Sequence, residues 1–325
     1  MTAPAAIGDP FGALRGLLPA SGRQAVRRLL RRAVDAVPPL ARARDARALR
    51  RRMRTALGYE PDLRRPPTYT ERLAHRILHD RDPPLVVTSD KVAVRDYVAA
   101  RNGQDYLAPL LGAWDRAEAI AWDRLPDRFV LKANNGSGTN LIMRDKAALD
   151  RAAATREAAR RQEGNHALWT GEWAYGRIRP RLLAEALLEG PGDDAAPVDY
   201  KFHLFGGRPR ILEVALGRFT DHHRHLLRDA ESFRPLPFRW GARAATRDEE
   251  AAFVPPPEVH AMARLAVRLG APFAQVRVDF YLCAGRIRFG ELTHYAGNAC
   301  DAFVPGRYDR VLGDIWAAPE RSWSG

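Results

Sequence analysis

Two acidic side chains, Asp279 and Glu291, lie within residues 275–295, where apolar and polar residues alternate as in a β-hairpin. A hairpin can place two such acids side by side on one face. Strict alternation would turn Glu291 toward its apolar neighbours, so Gly290 is a candidate β-bulge that re-aims the acid. Adjacent carboxylates repel unless a cation lies between them, and Arg277 or a divalent metal ion would serve. A surface hairpin with ordinary charges is the alternative.

A loop of small residues follows a second predicted strand. The apolar run of residues 129–131 ends at Lys132, and the loop that follows contains Asn135, Gly136, Ser137 and Gly138. Small residues such as Gly and Ser let a backbone approach phosphate oxygens closely. A lysine adds positive charge for the same phosphates. The lysine precedes the glycines, so this is not the Gly-x-x-x-x-Gly-Lys-Ser/Thr loop. A plain turn between strands is the alternative. Together with the acidic hairpin, the loop indicates a magnesium–nucleotide site.

With these motifs the chain resembles the ATP-grasp superfamily, and within it the TupA-like branch found among cell-surface polysaccharide biosynthesis proteins. Matching blocks stand in the expected order over roughly residues 85–320. They are Ser89-Asp90-Lys91, Val94-Arg95-Asp96-Tyr97-Val98, Leu110-Leu111-Gly112-Ala113-Trp114, residues 126–142, Arg179-Pro180-Arg181-Leu182-Leu183-Ala184-Glu185, Asp199-Tyr200-Lys201-Phe202, residues 275–295 and Leu312-Gly313-Asp314.

The resemblance implies an α+β protein of ATP-grasp fold, in which two α+β subdomains sandwich ATP behind a basic helical N-terminal segment. The implied ATP contacts include two phosphate-binding lysines, a flexible loop, a hinge acid and the backbone that follows it. These residues are Lys91, Lys132, Asn135, Gly136, Ser137, Gly138, Glu185, Leu187, Leu188, Asp199 and Lys201. Family members often carry a second acid after the hinge acid, where this chain has Ala186.

The resemblance also implies the reacting centre. Asp279 and Glu291 match the metal-binding acids for Mg²⁺, with Mn²⁺ as an alternative. Arg277 matches the arginine that stabilises charge during the reaction, and Lys132 is the second predicted catalytic residue. Many relatives have asparagine two residues after the glutamate as a third ligand. Here Thr293 stands there and offers only a hydroxyl.

The implied reaction is ATP-dependent ligation of a carboxylate to an amine through an acyl-phosphate. The expected substrates are a sugar acid, an amino acid or a peptide of a surface polysaccharide. Two alternatives stay open: an ATP-grasp kinase or phosphotransferase, and a non-catalytic nucleotide-binding scaffold at the membrane surface.

Four regions are predicted along the chain. A basic helical segment covers residues 1–67, and a lobe or linker covers 68–125. The small ATP-grasp subdomain with the phosphate loop covers 126–188. The C-terminal subdomain with the metal-binding hairpin covers 189–325.

The net charge of +13 comes largely from arginines before residue 55. Apolar residues between them predict a basic amphipathic helix, for which three explanations compete. In the first explanation, the helix lies on the surface of a helical lobe in an Arg- and Ala-rich protein. In the second, it contacts anionic lipid. Nucleic acid is the third and least favoured partner, because aromatic residues are scarce there. With two cysteines and no apolar membrane span, we expect a cytoplasmic protein, with a peripheral place at the inner membrane face as a further option.

Three local expectations concern other segments. Leu85 to Thr88 is predicted as a short strand, and Asp90 as the cap of the next helix. A basic run over 218–228 contains His222, His223 and His225, for which we expect a mostly solvent-facing loop or a substrate-facing patch. Adjacent histidines point apart, so a zinc site is the less favoured alternative.

Overall fold

The computed structural model describes residues 38–138, 140–164, 166–190, 196–217, 220–241, 244–321 and 323. The part of the predicted basic segment before Pro38, Thr139 of the glycine loop and Arg218 of the histidine-rich run lie outside the described residues. The chain divides into two compact units, Met1–Ala48 and Leu49–Gly325. The described part of the first unit is helical. The second contains a four-stranded sheet, a five-stranded sheet, a two-stranded sheet and the sites discussed below.

The helices are α1 (Pro38–Leu57), α2 (Tyr69–His79), α3 (Pro83–Ser89), α4 (Val94–Asn102), α5 (Arg151–Glu163), α6 (His166–Thr170), α7 (Arg247–Ala252), α8 (Glu258–Gly270) and α9 (Arg307–Ala317). The strands are β1 (Leu110–Trp114), β2 (Phe129–Ala133), β3 (Asn140–Met143), β4 (Leu182–Ala186), β5 (Val198–Phe205), β6 (Arg208–Leu216), β7 (Arg224–Asp229), β8 (Arg239–Trp240), β9 (Gln275–Cys283), β10 (Arg286–Thr293) and β11 (Phe303–Val304).

A four-stranded antiparallel sheet in the order β1-β4-β2-β3 carries the glycine loop between β2 and β3. Its apolar face includes Phe129, Leu131 and Leu182, which pack with Ala154 and Ala158 of α5. Alternation along β2 therefore turns Lys132 away from this core. The core of this sheet thus fixes the direction of the lysine before the loop.

A five-stranded antiparallel sheet in the order β10-β9-β5-β6-β7 carries the acidic hairpin at one edge. One face is apolar and packs against α8, which buries Met262, Leu265 and Leu269. The opposite face is polar, because alternation in β5 places Asp199, Lys201 and His203 together as the sequence predicts. This polar face holds most of the chemistry-bearing residues of the chain.

The strand predicted from Leu85 to Thr88 is wrong. Residues Pro83–Ser89 form α3, and Asp90 ends this helix. The β-branched residues favour a strand locally, but Pro83 and Pro84 suit the first turn of a helix and Leu85 is buried by packing. Asp90 instead accepts hydrogen bonds from the backbone of Val92 and Ala93 in the turn before α4. Lys91 therefore lies in this turn and not in a helix.

Within the described residues, no helix is long and apolar enough to cross a membrane. The final turns of α1 bury Leu49 and Met53 and leave Arg51 and Arg54 exposed. That spacing of four residues places both apolar side chains on one helix face.

The Arg76 guanidinium links α2 to the second sheet. Its Nη1 donates to the carbonyl of Gln275 (2.9 Å), to Oε1 of Gln275 (2.8 Å) and to the carbonyl of His294 (3.2 Å). The side chain is 7 % exposed and lies over Trp316. The cation thus satisfies three buried acceptors at once.

We expect Arg76→Met to lower the free energy of unfolding by about 3 kcal/mol, because it leaves buried acceptors without a donor. Urea denaturation measures this loss. Arg72→Met, on the same helix and without a charged partner among the described residues, is the control and should change stability by less than about 0.5 kcal/mol. Equal losses in both variants would contradict the role of Arg76.

Candidate active site

A cavity of about 350 Å³ is lined by residues of the four-stranded sheet and of the five-stranded sheet. The four-stranded sheet contributes Lys132, Glu185 and apolar residues, and the five-stranded sheet contributes Glu291 and its neighbours on the hairpin. Of the predicted site residues, eight line it: Lys91, Lys132, Ser137, Gly138, Glu185, Leu187, Leu188 and Glu291. The size and the mixture of apolar walls with a few charged groups are typical of a small-molecule site.

Lys132 and Glu185 form an ion pair on the wall of this cavity, with 2.6 Å between Nζ and Oε2. In the pairing of β2 with β4, Val130 lies opposite Glu185 and Lys132 lies opposite Leu183. Lys132 and Glu185 are therefore diagonal neighbours on one face of the sheet. Arg95 donates to the other oxygen of Glu185 at 2.5 Å. Glu185 is therefore held between two cations, and Arg95 is a site residue that the sequence analysis did not single out.

Lys91 packs on the glycine loop. Its backbone N–H donates to the carbonyl of Asn134 at 3.3 Å, and its Nζ donates to the carbonyl of Gly136. Burial lowers the pKa of the Lys91 ammonium, and the nearby Glu291 offsets part of that effect. An anion in the cavity would stabilise the charged lysine further.

Asn134, which sequence reasoning missed, anchors the start of the loop. Its Nδ2 donates to Asp90 (2.9 Å) and to the carbonyl of Arg179 (3.0 Å), and its Oδ1 accepts from the backbone of Arg181 at 2.7 Å. Ser137 and Gly138 are exposed beyond this anchor. Asn135 and Gly136 are buried and lie behind the cavity wall. The loop is thus fixed at its base and open at its tip.

The acidic hairpin has the bulge expected at Gly290. Phe289 pairs with Phe280, the register then shifts, and Glu291 pairs with Asp279. The shift lets Phe289 stay buried while Glu291 turns to the polar face. The side chain of Glu291 is 39 % exposed, whereas that of Asp279 is 2 % exposed. The two predicted metal-binding acids are therefore neighbours with different access to solvent.

Substitution of Gly290 is expected to disturb this bulge. A Cβ there would lie 3.0 Å from Tyr281 Cε2 and 3.1 Å from the Asp279 carbonyl oxygen. We expect Gly290→Ala to lower the free energy of unfolding by about 1–3 kcal/mol through overpacking. Urea denaturation tests this, with Gly306→Ala as the control, since the nearest atom to a Cβ there is 4.0 Å away. A variant as stable as the control would contradict the tight bulge.

Arg277 bridges the two acids. Its Nη2 is 2.7 Å from Oδ2 of Asp279 and 2.9 Å from Oε1 of Glu291. The same nitrogen donates to Oγ1 of Thr293 at 3.1 Å, and Thr293 donates to Glu291 at 3.0 Å. Burial alone would lower the pKa of Arg277, but Asp279 and Glu291 more than offset this and raise it well above its ordinary value. In this arrangement Thr293 orients Glu291.

Lys201 completes a buried charge cluster beneath the hairpin. Its Nζ lies 2.7 Å from Asp199 and 2.9 Å from Asp279. Burial would lower the pKa of Lys201, but the two carboxylates raise it overall. Burial likewise would raise the pKa of Asp279, but Arg277 and Lys201 lower it. Asp279 is thus ionised, and the Lys201 ammonium lies between the carboxylates of Asp199 and Asp279.

The residues fit a nucleotide and magnesium by their chemistry. Two lysines and a loop with Gly138 in a positive-φ conformation lie on one wall, and a partly exposed carboxylate lies on the opposite one. Mg²⁺ needs only one or two carboxylates when phosphates and water supply the remaining oxygens. No group of three or more His, Cys, Asp or Glu side chains suited to a metal occurs in the part of the chain that the structure describes. The protein's share of a metal site would therefore be Asp279 and Glu291, for which the ion would compete with Arg277.

The structure also places the histidine-rich run. Residues 224–229 form strand β7 and not the expected loop, and His225 contacts Glu213 of β6. His222 is exposed. His225 thus turns Nδ1 to the Glu213 carboxylate on the polar sheet face, and its ring lies 4.7 Å from that of His223. A single-strand pattern cannot reveal the contact with Glu213.

Solved structures similar to this chain include a D-alanine–D-alanine ligase from Bacillus anthracis complexed with ATP (11% identity, 64% of this chain and 54% of that chain, TM-score 0.37). Others are the D-cycloserine synthetase DcsG (16%, 76% and 77%, TM-score 0.40) and the ATP-grasp ligase PsnB complexed with a minimal precursor (12%, 74% and 62%, TM-score 0.36). The aligned region spans about half the length of the first of these proteins. No curated protein matches the sequence significantly.

The family model of the TupA-like ATP-grasp proteins matches residues 71–317. This range includes the glycine loop, both lysines of the cavity and the whole acidic hairpin. It therefore covers most of the chain and all the residues from which the site is built. The chain belongs to the TupA-like ATP-grasp family.

Proposed function

We propose that the protein is an ATP-dependent ligase that joins a carboxylate to an amine through an acyl-phosphate. One observation carries the proposal: a single cavity has Lys91 and Lys132 on one wall and Glu291 on the other, with Arg277 and Asp279 directly behind Glu291. Cations, a carboxylate pair and a phosphate-sized loop are the groups that phosphoryl transfer requires.

In this proposal the two lysines and the backbone of the loop bind the phosphates of ATP. The adenine lies against the segment after Glu185, where Leu187 and Leu188 offer apolar contacts. Asp279 and Glu291 hold Mg²⁺, which supplies charge neutralisation at the phosphates. Lys201 assists from beside the hairpin by keeping Asp279 ionised, and Asp199 holds Lys201 in place.

The chemistry takes two steps. A carboxylate oxygen of the substrate attacks the γ-phosphorus, the bond to the bridging oxygen breaks, and ADP leaves with the electron pair. The amine nitrogen then attacks the acyl carbon, and phosphate leaves. Arg277, a bidentate cation beside both acids, stabilises the negative charge on the transferred group.

The family description suggests the setting. We propose that the carboxylate or amine belongs to a sugar acid, an amino acid or a peptide used in surface polysaccharide synthesis. A cytoplasmic protein that contacts the anionic inner membrane face through the arginine-rich helix α1 would meet such a substrate.

Isotope transfer tests the reaction. Carboxylates carrying a heavy oxygen label are incubated with amines, ATP, Mg²⁺ and the full-length protein, and the products are analysed by mass spectrometry. We expect the label in inorganic phosphate and a product equal to the two substrates minus water. A phosphorylated product without amide would identify a phosphotransferase, and ATP binding without any turnover would identify a scaffold. Both outcomes would overturn the proposal.

A further inference from the structure

A second cavity, of about 340 Å³, lies on the polar face of the five-stranded sheet. Arg277 and Lys201 line it, so it begins where the charge cluster of the hairpin ends. Its remaining walls come from β5, β6, β7, β8 and the residues that follow β10. Nothing in the proposed nucleotide chemistry uses this space.

Glu213 lies on this cavity's wall between two imidazoles. Its Oε2 is 3.0 Å from Nε2 of His203, and its Oε1 is 2.7 Å from Nδ1 of His225. The strand register explains the cluster, since Lys201 pairs with Glu213 and Ala215 pairs with His225, which places them all on one face. Burial would raise the pKa of Glu213, but the hydrogen bonds from the two histidines lower it well below its ordinary value. Glu213 is therefore a buried carboxylate that stays ionised.

The two histidines differ in access. The His203 side chain is 1 % exposed, and burial lowers its pKa, so its ring is neutral. The His225 side chain is 22 % exposed and lines the cavity. Because Nδ1 of His225 donates to Glu213, the basic atom of this ring is Nε2, which has no hydrogen-bond partner among the described residues. A carboxylate that fixes one ring nitrogen leaves the other ready to accept a proton.

A second acid faces the same cavity. Asp301 lines the wall beside Gly297, at which a Cβ would lie 2.0 Å from Asp301 Oδ2. Its carboxylate has neither an ion pair nor a hydrogen bond within the part of the chain that the structure covers. Burial, and then the nearby charge of Glu213, raise the pKa of Asp301. Within the described residues, Arg277 and Lys201 are paired with Asp199, Asp279 and Glu291, and no cation is in hydrogen-bond contact with Asp301.

One more buried group on this wall lacks a partner. The Nε1 atom of Trp240 is inaccessible and donates to nothing in the described residues. Phe303 stacks with Trp240, and the His203 ring lies 4.7 Å away, so the Trp240 ring is held firmly. The Trp240 ring therefore forms a rigid aromatic part of the cavity wall.

We propose that this second cavity binds a primary ammonium group against Asp301 and that His225, oriented by Glu213, accepts the proton of that ammonium. The inference rests on the proposed ligase function, for which it defines the amine side. An ammonium ion has no lone pair and cannot attack a carbonyl carbon, so the amine must lose a proton before the amide forms. Arg277 belongs to the charge cluster and also lines this cavity, so the proposal places the amine on the far side of Arg277 from ATP.

The proposed step is balanced. A proton moves from the ammonium nitrogen to Nε2 of His225, and the freed lone pair forms the bond to the acyl carbon. The bond from that carbon to the phosphate oxygen breaks, and phosphate takes the electron pair. The second proton of the nitrogen passes to the leaving phosphate, which leaves a neutral amide. Glu213 stabilises the imidazolium that results and is a positioning residue.

Binding is tested first, by following the histidine resonances of the full-length protein labelled at histidine. Calorimetry on the same sample verifies that the protein binds Mg²⁺–ATP. The probes are the protein amino acids, D-alanine, glucosamine and putrescine, each compared with its N-acetylated form. We expect at least one ammonium compound to shift the His225 resonances saturably and its acetylated form not to do so. Asp301→Asn should weaken this binding at least about tenfold. No shift with any probe, or equal shifts by acetylated probes, would overturn the inference even where ATP still binds. Loss of ATP binding would instead count against the ligase itself.

Turnover then tests the proton transfer, with the probe that binds as the amine. We expect His225→Gln to bind the amine as well as the wild type does but to lower kcat about a hundredfold at neutral pH. This deficit should shrink as the pH rises and more amine is free of its proton. Glu213→Gln should show the same pH-dependent deficit, and the exposed His222→Gln should behave as the wild type. A deficit in His225→Gln that is the same at every pH would overturn the role as proton acceptor.

Discussion

Replacing Arg277 with lysine is expected to lower kcat for ADP release at least about a hundredfold, while the affinity for ATP changes less than about threefold. Lysine keeps a positive charge beside the buried Asp279, so the protein should still fold. It lacks the planar fork that contacts Asp279 and Glu291 together. Steady-state kinetics combined with calorimetric ATP binding separates these two effects.

Arg286→Lys is the matched control for this variant. Arg286 stands on the same hairpin, is exposed near its turn and lies outside both cavities. It should leave kcat unchanged. If Arg277→Lys retained wild-type kcat, the arginine would be a structural bridge between two acids and the proposed reacting centre would be misplaced.

Replacing Lys132 with alanine is expected to weaken ATP binding about 10- to 100-fold, because one charge-assisted contact to phosphate is lost. Glu185 keeps Arg95 as its partner in this variant, so no buried acid is left alone. Adenosine binding should not change, since it involves no phosphate. Calorimetry with ATP and with adenosine measures both values.

Lys146→Ala provides the control for Lys132. Lys146 belongs to the same part of the chain but bonds only backbone carbonyls of residues 123 and 125 outside the cavity. ATP should bind to this variant as it does to the wild type. A parallel loss of adenosine affinity in Lys132→Ala would show that the lysine acts through the shape of the site and not through the phosphates.

The sequence predicts the hairpin well because its signals are local. Alternation sets the two strands, and a single glycine between Phe289 and Glu291 indicates the bulge that the structure has. The grouping of Asp199, Lys201 and His203 on one face is predicted for the same reason, since it depends only on the period of one strand.

Other features depend on partners distant in sequence. Residues 85–88 favour a strand by composition but form part of α3, because tertiary packing overrides a weak local preference. The contacts of Glu213 with His203 and His225 depend on how β5, β6 and β7 are aligned with one another. No local sequence motif predicts that alignment. Asn134 and Arg95 were missed likewise, because their roles lie in contacts with residues more than 40 positions away.

The two cavities share one organisation. The polar face of the five-stranded sheet runs from Glu291 at its edge through the charge cluster of Arg277, Asp279 and Lys201 to Glu213 and His225. The first cavity adds the lysines of the other sheet. Activation of a carboxylate and delivery of an amine would therefore take place on opposite sides of Arg277.

Calorimetric titration of ATP with Mg²⁺ into the wild type and into the Asp279→Asn/Glu291→Gln variant tests whether the cavity between the four-stranded and five-stranded sheets is an ATP site. We expect micromolar binding to the wild type, and a loss of at least about 2 kcal/mol in binding free energy in the double variant because the metal ligands are gone. Thermal unfolding of both proteins verifies that the variant is folded. If the wild type bound no nucleotide with Mg²⁺ present, the cavity between the two sheets would not be an ATP site, and the ligase proposal would fail with it.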